Sequence, residues 1–482
     1  MSAESLSPEV ESFALRGGRR PLTLHATGLR HTASWLAGGE GFTSFEEITD
    51  LALGRRVLRV GARRGVVILP RRVFRDAAAP ERLVAALRQR IAANPGGVLQ
   101  LGRMTALAQL ATRPARLLAT SGAIVLCLLA YGLDWLLGAG LQAEGHFGAT
   151  LFFAGEPWRI VTANFLHAGL AHLLLNVIGL WALGELVERP LGTARTLFVM
   201  GASMLGAMGV GAATGYEYAI GASGVVCGLA GAMVLLEIRY PAQIPAAWRI
   251  PRRLLFVVLG VDAAISIFVP SVAGAAHLGG FVAGALATLA VTPASLAEVR
   301  PDGWTRAMAA LVLAVVAASA FALVREIAGG PEVLARRAER LLALPAVPAV
   351  MLNNTAWLIV TTDAPTPEMV ELALRSAQRA VAQTDRSDPN FLDTLAESQY
   401  LAGMGDDALD TIDEAIALAP GESYFLEQRR RFTGERAYDD RPAPPNEPAL
   451  RGEPEEPFLD EPPRWLPPGH PPLDDEEPGL SV

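Results

Sequence analysis

Seven apolar stretches between Leu117 and Val324 constrain this chain more than any other feature. They run near 117–137, 171–187, 195–213, 221–237, 254–270, 273–290 and 305–324. The hydrocarbon core of a bilayer takes about 20 apolar residues of helix, and backbone polar groups inside it must pair within the segment. The pattern therefore predicts a multi-pass α-helical membrane protein, inserted through its own first span because the N-terminus lacks a basic-then-apolar leader. A hydrophobic content of 51% and a mean hydropathy of +0.31 over 482 residues agree. Between the first two spans lies a long half-apolar segment, Gly138–Leu170, expected at the membrane interface.

The chain has no lysine, so arginine alone orients the bundle. Arg113 and Arg116 precede the first span. Arg189 and Arg195 join the second and third; Arg239, Arg249, Arg252 and Arg253 join the fourth and fifth; Arg300 and Arg306 join the sixth and seventh. Alternation puts all of them on one side, which the excess of positive charge makes cytoplasmic. The N-terminus is then cytoplasmic and everything after the seventh span outside. Arg325, Arg336, Arg337 and Arg340 weigh against that last step.

Composition divides the rest. Residues 1–112 read as a soluble β-rich domain. Arg55–Val60 and Gly65–Leu69 alternate like strands around a Gly61–Gly65 turn, and Pro80–Ala92 has helical spacing with Leu83, Val84, Leu87 and Ile91 on one face. Strands capped by one helix resemble a small pleckstrin-homology-like domain, with Phe45–Asp50 as an early strand. The membrane domain spans 113–328. Residues 329–432 are helical, and Pro389–Glu422 resembles a 34-residue tetratricopeptide repeat through Ala396, Ala408, Ala415 and Pro420. Asn353–Asp388, with Ala373 and Ala380, resembles a preceding repeat. Such repeats bind peptides or proteins, or only pack against their neighbours. Residues 433–482 carry 4 Arg against 13 acids and many prolines, the composition of a disordered tail.

Polar residues inside apolar helices are expensive and mark function or structural pairing. Ser223 heads the fourth span between Gly221 and Gly224, where unpaired helix N–H groups stabilise developing negative charge. Read alone, Gly-x-Ser-Gly in an apolar helix is a packing seam. His172 and Asn176, four apart, share one face of the second span. His277, Gly280 and Gly284 share a face of the sixth, whose glycines allow close helix approach. Alternating the spans puts Ser223, His172 and His277 near the outer face together. A neutral imidazole is a suitable base for a serine hydroxyl, so His277 and Ser223 form a candidate dyad, with His172, Asn176 and the Ser223 N–H as oxyanion donors. The bland alternatives are an imidazole bonded to a carbonyl and a His–Asn pair that only braces helices. The five-residue spacing of His167 and His172 argues against a metal pair, and no cofactor is expected. Cys127 and Cys227 both lie in spans and build neither a disulfide framework nor a metal site.

The middle of the chain resembles the rhomboid intramembrane serine proteases. Trp158-Arg159, His172 with Asn176, Glu188-Arg-Pro-Leu-Gly192, Gly221-Ala-Ser-Gly224, and Ala276-His277 with Gly280 and Gly284 carry the likeness, over about 150–290. The resemblance implies a six-helix rhomboid-like bundle plus a seventh span, whose Ser223–His277 dyad cleaves transmembrane protein substrates near their outer ends without metal or ATP. It also implies that Trp158, Arg159 and Glu188 hold the outer loop against the bundle. One position departs: four residues after the serine the family commonly has an aromatic that stacks on the imidazole, and here stands Cys227.

Two other readings remain beside the protease. One is an inactive relative that binds or escorts membrane clients through its bundle and repeats, favoured by Cys227. The other is a transporter, for which Asp262 is the main candidate carboxylate. Expected partners are transmembrane substrates, the bilayer and a ligand of the repeats. No nucleic-acid motif accompanies the Arg-rich N-terminal region. Arg-, Ala- and Gly-rich composition suggests a GC-rich bacterial genome and a bacterial inner membrane.

Overall fold

The computed structural model describes residues 10–17, 20–32, 40–63, 65–112, 117–138, 140–240, 273–293, 301–438 and 441–442, with a few positions from 244 to 266 and residue 296. Most of the expected fifth span, Asp262 included, and the acidic tail beyond 442 lie outside the described residues.

Among the described residues the N-terminal unit has seven strands in two antiparallel sheets. β1 (Glu11–Phe13), β2 (Leu22–Leu24), β3 (Gly28–Thr32) and β4 (Glu40–Ser44) form one; β5 (Ile48–Leu53), β6 (Val57–Ala62) and β7 (Gly65–Pro70) form the other. Period-2 alternation puts Leu22, Leu24, Leu58 and Val60 in the core. Against them pack Leu83, Leu87 and Ile91 of α1 (Ala79–Ala93), all fully buried. Phe45–Asp50 is not one strand: Phe45–Glu47 is a 3-10 turn that sinks Phe45 into the core before β5 begins. Ala62 pairs with Gly65, so the hairpin turn is narrower than Gly61–Gly65. A second helix, α2 (Gly97–Thr112), was not expected. Its Gln100 donates to the carbonyls of Phe45 (2.7 Å) and Ile48 (2.8 Å) at the sheet end.

The membrane bundle contains α3 (Leu118–Leu137), three short helices α4 (Leu141–Gly145), α5 (Ala149–Phe153) and α6 (Arg159–Thr162), and then α7 (Leu170–Leu191), α8 (Thr193–Ala213), α9 (Ser223–Arg239), α10 (Gly274–Val291) and α11 (Gly303–Ala328). Among the described residues five helices, α3, α7, α8, α10 and α11, are long and apolar enough to cross a membrane; α9 is a 17-residue apolar helix among them. Their outward residues, such as Leu175, Trp181, Leu286 and Phe321, are exposed apolar side chains, as a lipid-facing surface requires. The helix limits follow chemistry. Pro190 and Gly192, with φ of +79°, end α7, and the Asp302 carboxylate caps α11 by accepting from Thr305 N–H at 2.7 Å.

Glycine brings the central helices together. A Cβ on Gly280 would overlap the carbonyl oxygen of Gly224, and one on Gly284 that of Gly228. With the backbones of α9 and α10 touching, dispersion between closely packed atoms replaces the side-chain contacts that hold helices together in water. Leu229, Ala232, Met233 and Leu236 of α9 fill the bundle core.

Among the described residues six helices follow: α12 (Pro331–Ala343), α13 (Ala349–Val360), α14 (Pro367–Gln383), α15 (Pro389–Leu401), α16 (Gly405–Leu418) and α17 (Ser423–Phe432). α13–α14 and α15–α16 pack as successive helical hairpins. Ala373, Ala380, Ala396, Ala408 and Ala415 are fully buried between them. The contacts of this unit run past the 432 boundary drawn from composition. Tyr438 lies on Tyr400 with ring centroids 5.3 Å apart, and Arg441 donates to the Val360 carbonyl and the Glu397 carboxylate.

Candidate active site

Ser223 is the first residue of α9, reached through Gly221 at φ +114°. That conformation and the space above it both require glycine, since a Cβ there would lie 2.6 Å from His172 Nε2 and 3.6 Å from Asn176 Nδ2. His172 and Asn176 thus stand directly over the turn that presents Ser223. Asn176 is buried and donates one N–H to the His172 carbonyl at 3.0 Å, which fixes its amide on the helix face. The Ser223 N–H belongs to the first turn of α9 and has no carbonyl four residues back inside the helix. Three kinds of donor therefore converge near one hydroxyl.

His277 lies in the first turn of α10. Its Nε2 is 2.8 Å from Ser223 Oγ, the distance at which the hydroxyl donates to an imidazole whose other nitrogen carries the proton. The contact follows from the glycine seam, because Gly280 and Gly284 sit one and two turns below His277 against Gly224 and Gly228. Gly224 is itself confined, with a Cβ position 2.5 Å from the Ala207 methyl. Cys227 lies one turn below Ser223 on the same helix, partly buried, and forms no disulfide.

The segment between α3 and α7 forms a loop over this end of the bundle. Arg159 is completely buried. Its Nε donates to Glu156 Oε2 at 2.6 Å, its Nη1 to the His146 carbonyl at 3.0 Å, and its guanidinium lies 4.6 Å from the Trp158 ring centroid. The Ala163 carbonyl accepts the Gly221 N–H at 2.8 Å, so the loop is tied to the turn before the serine. Two loop histidines are kept neutral. His146, stacked on Tyr218, is pushed down to about 4 by burial and then by the Arg159 charge. His167, edge-on to His172 at 5.1 Å, is also pushed down to about 4 by burial, then by that ring.

Glu188 does not support this loop. It is buried at the far end of α7, where its carboxylate accepts from the backbone N–H groups of Ala119 (3.0 Å) and Thr120 (2.9 Å), and from the Thr120 (2.7 Å) and Thr193 (2.7 Å) hydroxyls. It satisfies the unpaired first turn of α3, roughly 18 Å along the helix from Asn176 at 1.5 Å per residue. Among the described residues no three His, Cys, Asp or Glu side chains converge as a metal site. Sequence reasoning missed the ion pairs of Arg337 with Glu144 and Glu156 of the loop, and Ser203, which fits against Gly228. In this cluster only the local Glu156–Arg159 pair carried a signal in its spacing.

The Rhomboid domain family profile matches residues 154–294. RHOMBOID-like protein 5 of Arabidopsis thaliana is 32% identical over 162 residues, 31% of this chain and 50% of that protein. Rhomboid protease GluP of Bacillus subtilis (strain 168) is 30% identical over 152 residues, 31% of this chain and 29% of that protein. Rhomboid protease GlpG of Yersinia pestis (strain Pestoides F) is 34% identical over 134 residues, 27% of this chain and 47% of that protein. The chain thus spans half or less of each of these relatives. Together with the multi-pass helical bundle, these matches support the rhomboid family for residues 154–294, the part of the chain that carries both Ser223 and His277.

Proposed function

We propose that the bundle is an intramembrane serine endopeptidase that hydrolyses peptide bonds in or near the transmembrane segments of other membrane proteins. The observation that carries this reading is the 2.8 Å contact between Ser223 Oγ and His277 Nε2 beneath His172 and Asn176. Ser223 Oγ attacks the scissile carbonyl while its proton passes to His277 Nε2. The oxyanion is held by the Ser223 N–H, His172 and Asn176. The imidazolium gives its proton to the leaving amine, and a water deprotonated by His277 then releases the acyl group from Ser223. A helical substrate hides its peptide bonds in backbone hydrogen bonds, so the segment must unwind before Ser223 reaches it.

The charge pattern supports a cytoplasmic N-terminus with the Ser223 end facing outward, and the Arg-rich, Lys-free composition supports a bacterial inner membrane. Seven strands followed by α1 support the pleckstrin-homology-like reading of the N-terminal unit. Stacked hairpins with buried alanines support the tetratricopeptide-like reading of the C-terminal one, with a protein or peptide as its partner. A second reading, an inactive relative that escorts membrane clients, is favoured by Cys227 in place of an aromatic beside the imidazole.

The deciding experiment pairs labelling by a fluorophosphonate probe with cleavage of a model transmembrane substrate in liposomes. Wild type should label and cleave, whereas Ser223→Ala should do neither and His277→Ala should lose at least about 10³-fold in rate. Absence of both activities in folded wild type would leave the escort reading in its place.

A further inference from the structure

One buried guanidinium ties the C-terminal unit to the outer loop. Arg337 of α12 is 8% exposed and bonds three carboxylates: Glu144 Oε2 at 2.6 Å, Glu326 Oε1 at 3.0 Å and Glu156 Oε1 at 3.2 Å. Glu144 and Glu156 belong to the loop between α3 and α7, and Glu326 to the end of α11. The other oxygen of Glu156 holds Arg159. Burial alone would raise the Glu144 carboxyl, but the charge and hydrogen bond of Arg337, together with the Arg159 charge, hold the group below its ordinary range. At Glu156, Arg159 and then Arg337 do the same. Without Arg337, three carboxylates would share the single charge of Arg159, an arrangement that desolvation makes costly. Ala154 of the same loop is buried in the core of the C-terminal unit, a second and independent contact.

From this junction a continuous path leads to the nucleophile. Glu156 fixes Arg159, the first residue of the single turn α6. That turn runs into Ala163, whose carbonyl holds the Gly221 N–H two residues before Ser223. We propose that Arg337 is a positioning residue for Ser223, tying the C-terminal helical unit to the outer loop and thereby fixing the Gly221–Ser223 turn. The C-terminal unit then lies at the Ser223 end of the bundle and is an integral part of the site rather than an appendage. The catalytic consequence rests on the protease reading; the mechanical link does not.

The test uses the full chain in detergent, as wild type, Arg337→Lys, Arg337→Gln and the double variant Glu144→Gln/Arg337→Gln. Lysine keeps the charge but lacks the planar fork needed to span three carboxylates. The double variant removes one uncompensated carboxylate, so it folds without restoring the link. Amide hydrogen exchange over 156–165 and 217–223 reads the link directly, and fluorophosphonate labelling of Ser223 reads its effect. In the folded double variant both segments should exchange at least about tenfold faster. Labelling should slow by at least about tenfold, because displacements near 1 Å are expensive at a reacting centre. Arg337→Lys should fall between. Unchanged exchange at 217–223 in the folded double variant would overturn the proposal, as would labelling at the wild-type rate. Faster exchange in a protein that never labels in any form would uphold the link and count instead against the protease reading.

Discussion

Ser223 Oγ and His277 Nε2 lie 2.8 Å apart although they stand 54 positions apart in the sequence. What brings them together is the absence of side chains one and two turns deeper. Gly280 rests on the Gly224 carbonyl and Gly284 on that of Gly228, so the two helices meet backbone to backbone and their first turns are held at hydrogen-bonding distance.

That relationship predicts a sharp difference among glycine substitutions. Gly280→Val should force α9 and α10 apart, lowering stability by about 1–3 kcal/mol as overpacking does. It should also slow Ser223 labelling in whatever fraction remains folded. Gly209→Ala, where nothing lies within 4 Å of the new methyl, should leave labelling unchanged and should not lower stability, since alanine is the better helix former. Thermal unfolding and probe labelling in the same micelles compare the two.

Asn176 separates oxyanion stabilisation from substrate binding. Asn176→Ala should lower kcat by roughly 10²–10³, the effect of losing one oxyanion donor, with KM nearly unchanged. Equal loss in both parameters would instead assign Asn176 to bracing the His172 turn, to whose carbonyl it already donates.

The spans were legible because a bilayer imposes its requirement on every residue of a segment. The helices observed at 118–137, 170–191, 193–213, 223–239, 274–291 and 303–328 lie within a few residues of the stretches seen as apolar. Ser223, His172, Asn176 and His277 were legible because helix periodicity and alternating direction suffice to bring them to one end. Glu188 was misjudged although the information was present: twelve residues of unbroken helix carry it far from Asn176. The Arg337 junction was not legible, because ion pairs between residues nearly two hundred positions apart leave no periodic trace. The same holds for α2, whose Gln100 finds its partners only after the sheet has closed.

Glu188, relocated to the opposite end of α7, becomes a probe of stability alone. It accepts four hydrogen bonds from Ala119, Thr120 and Thr193, and bonds to a charged group contribute about 1.5–3 kcal/mol each before compensation by neighbours. Glu188→Ala should reduce stability by at least about 2 kcal/mol. The folded fraction should still label at Ser223 at the wild-type rate, since the lost bonds lie roughly 18 Å along α7 from Asn176 at 1.5 Å per residue. A matched loss of labelling per folded molecule would contradict that separation.

The outer loop should be acid-sensitive, and the sign follows from His146. Its folded value is pushed down to about 4, first by burial and then by the Arg159 guanidinium, whereas an exposed imidazole titrates near 6.5. A depressed value means that the unfolded chain takes up the proton first. The contribution of neutral His146 to stability is therefore complete above about pH 6.5 and lost progressively as pH falls toward 4. His146→Phe keeps a ring on Tyr218 and cannot take the proton. It forfeits the Nδ1 bonds to the Gln142 and Ala143 carbonyls, so it should be less stable than wild type at pH 7.5 by about 1 kcal/mol. Its stability should fall less steeply between pH 6.5 and 4, with a remaining slope from His167, which titrates in the same window. Unfolding temperatures measured across that range in both proteins give the two slopes, and parallel curves would show that His146 is not the group responsible.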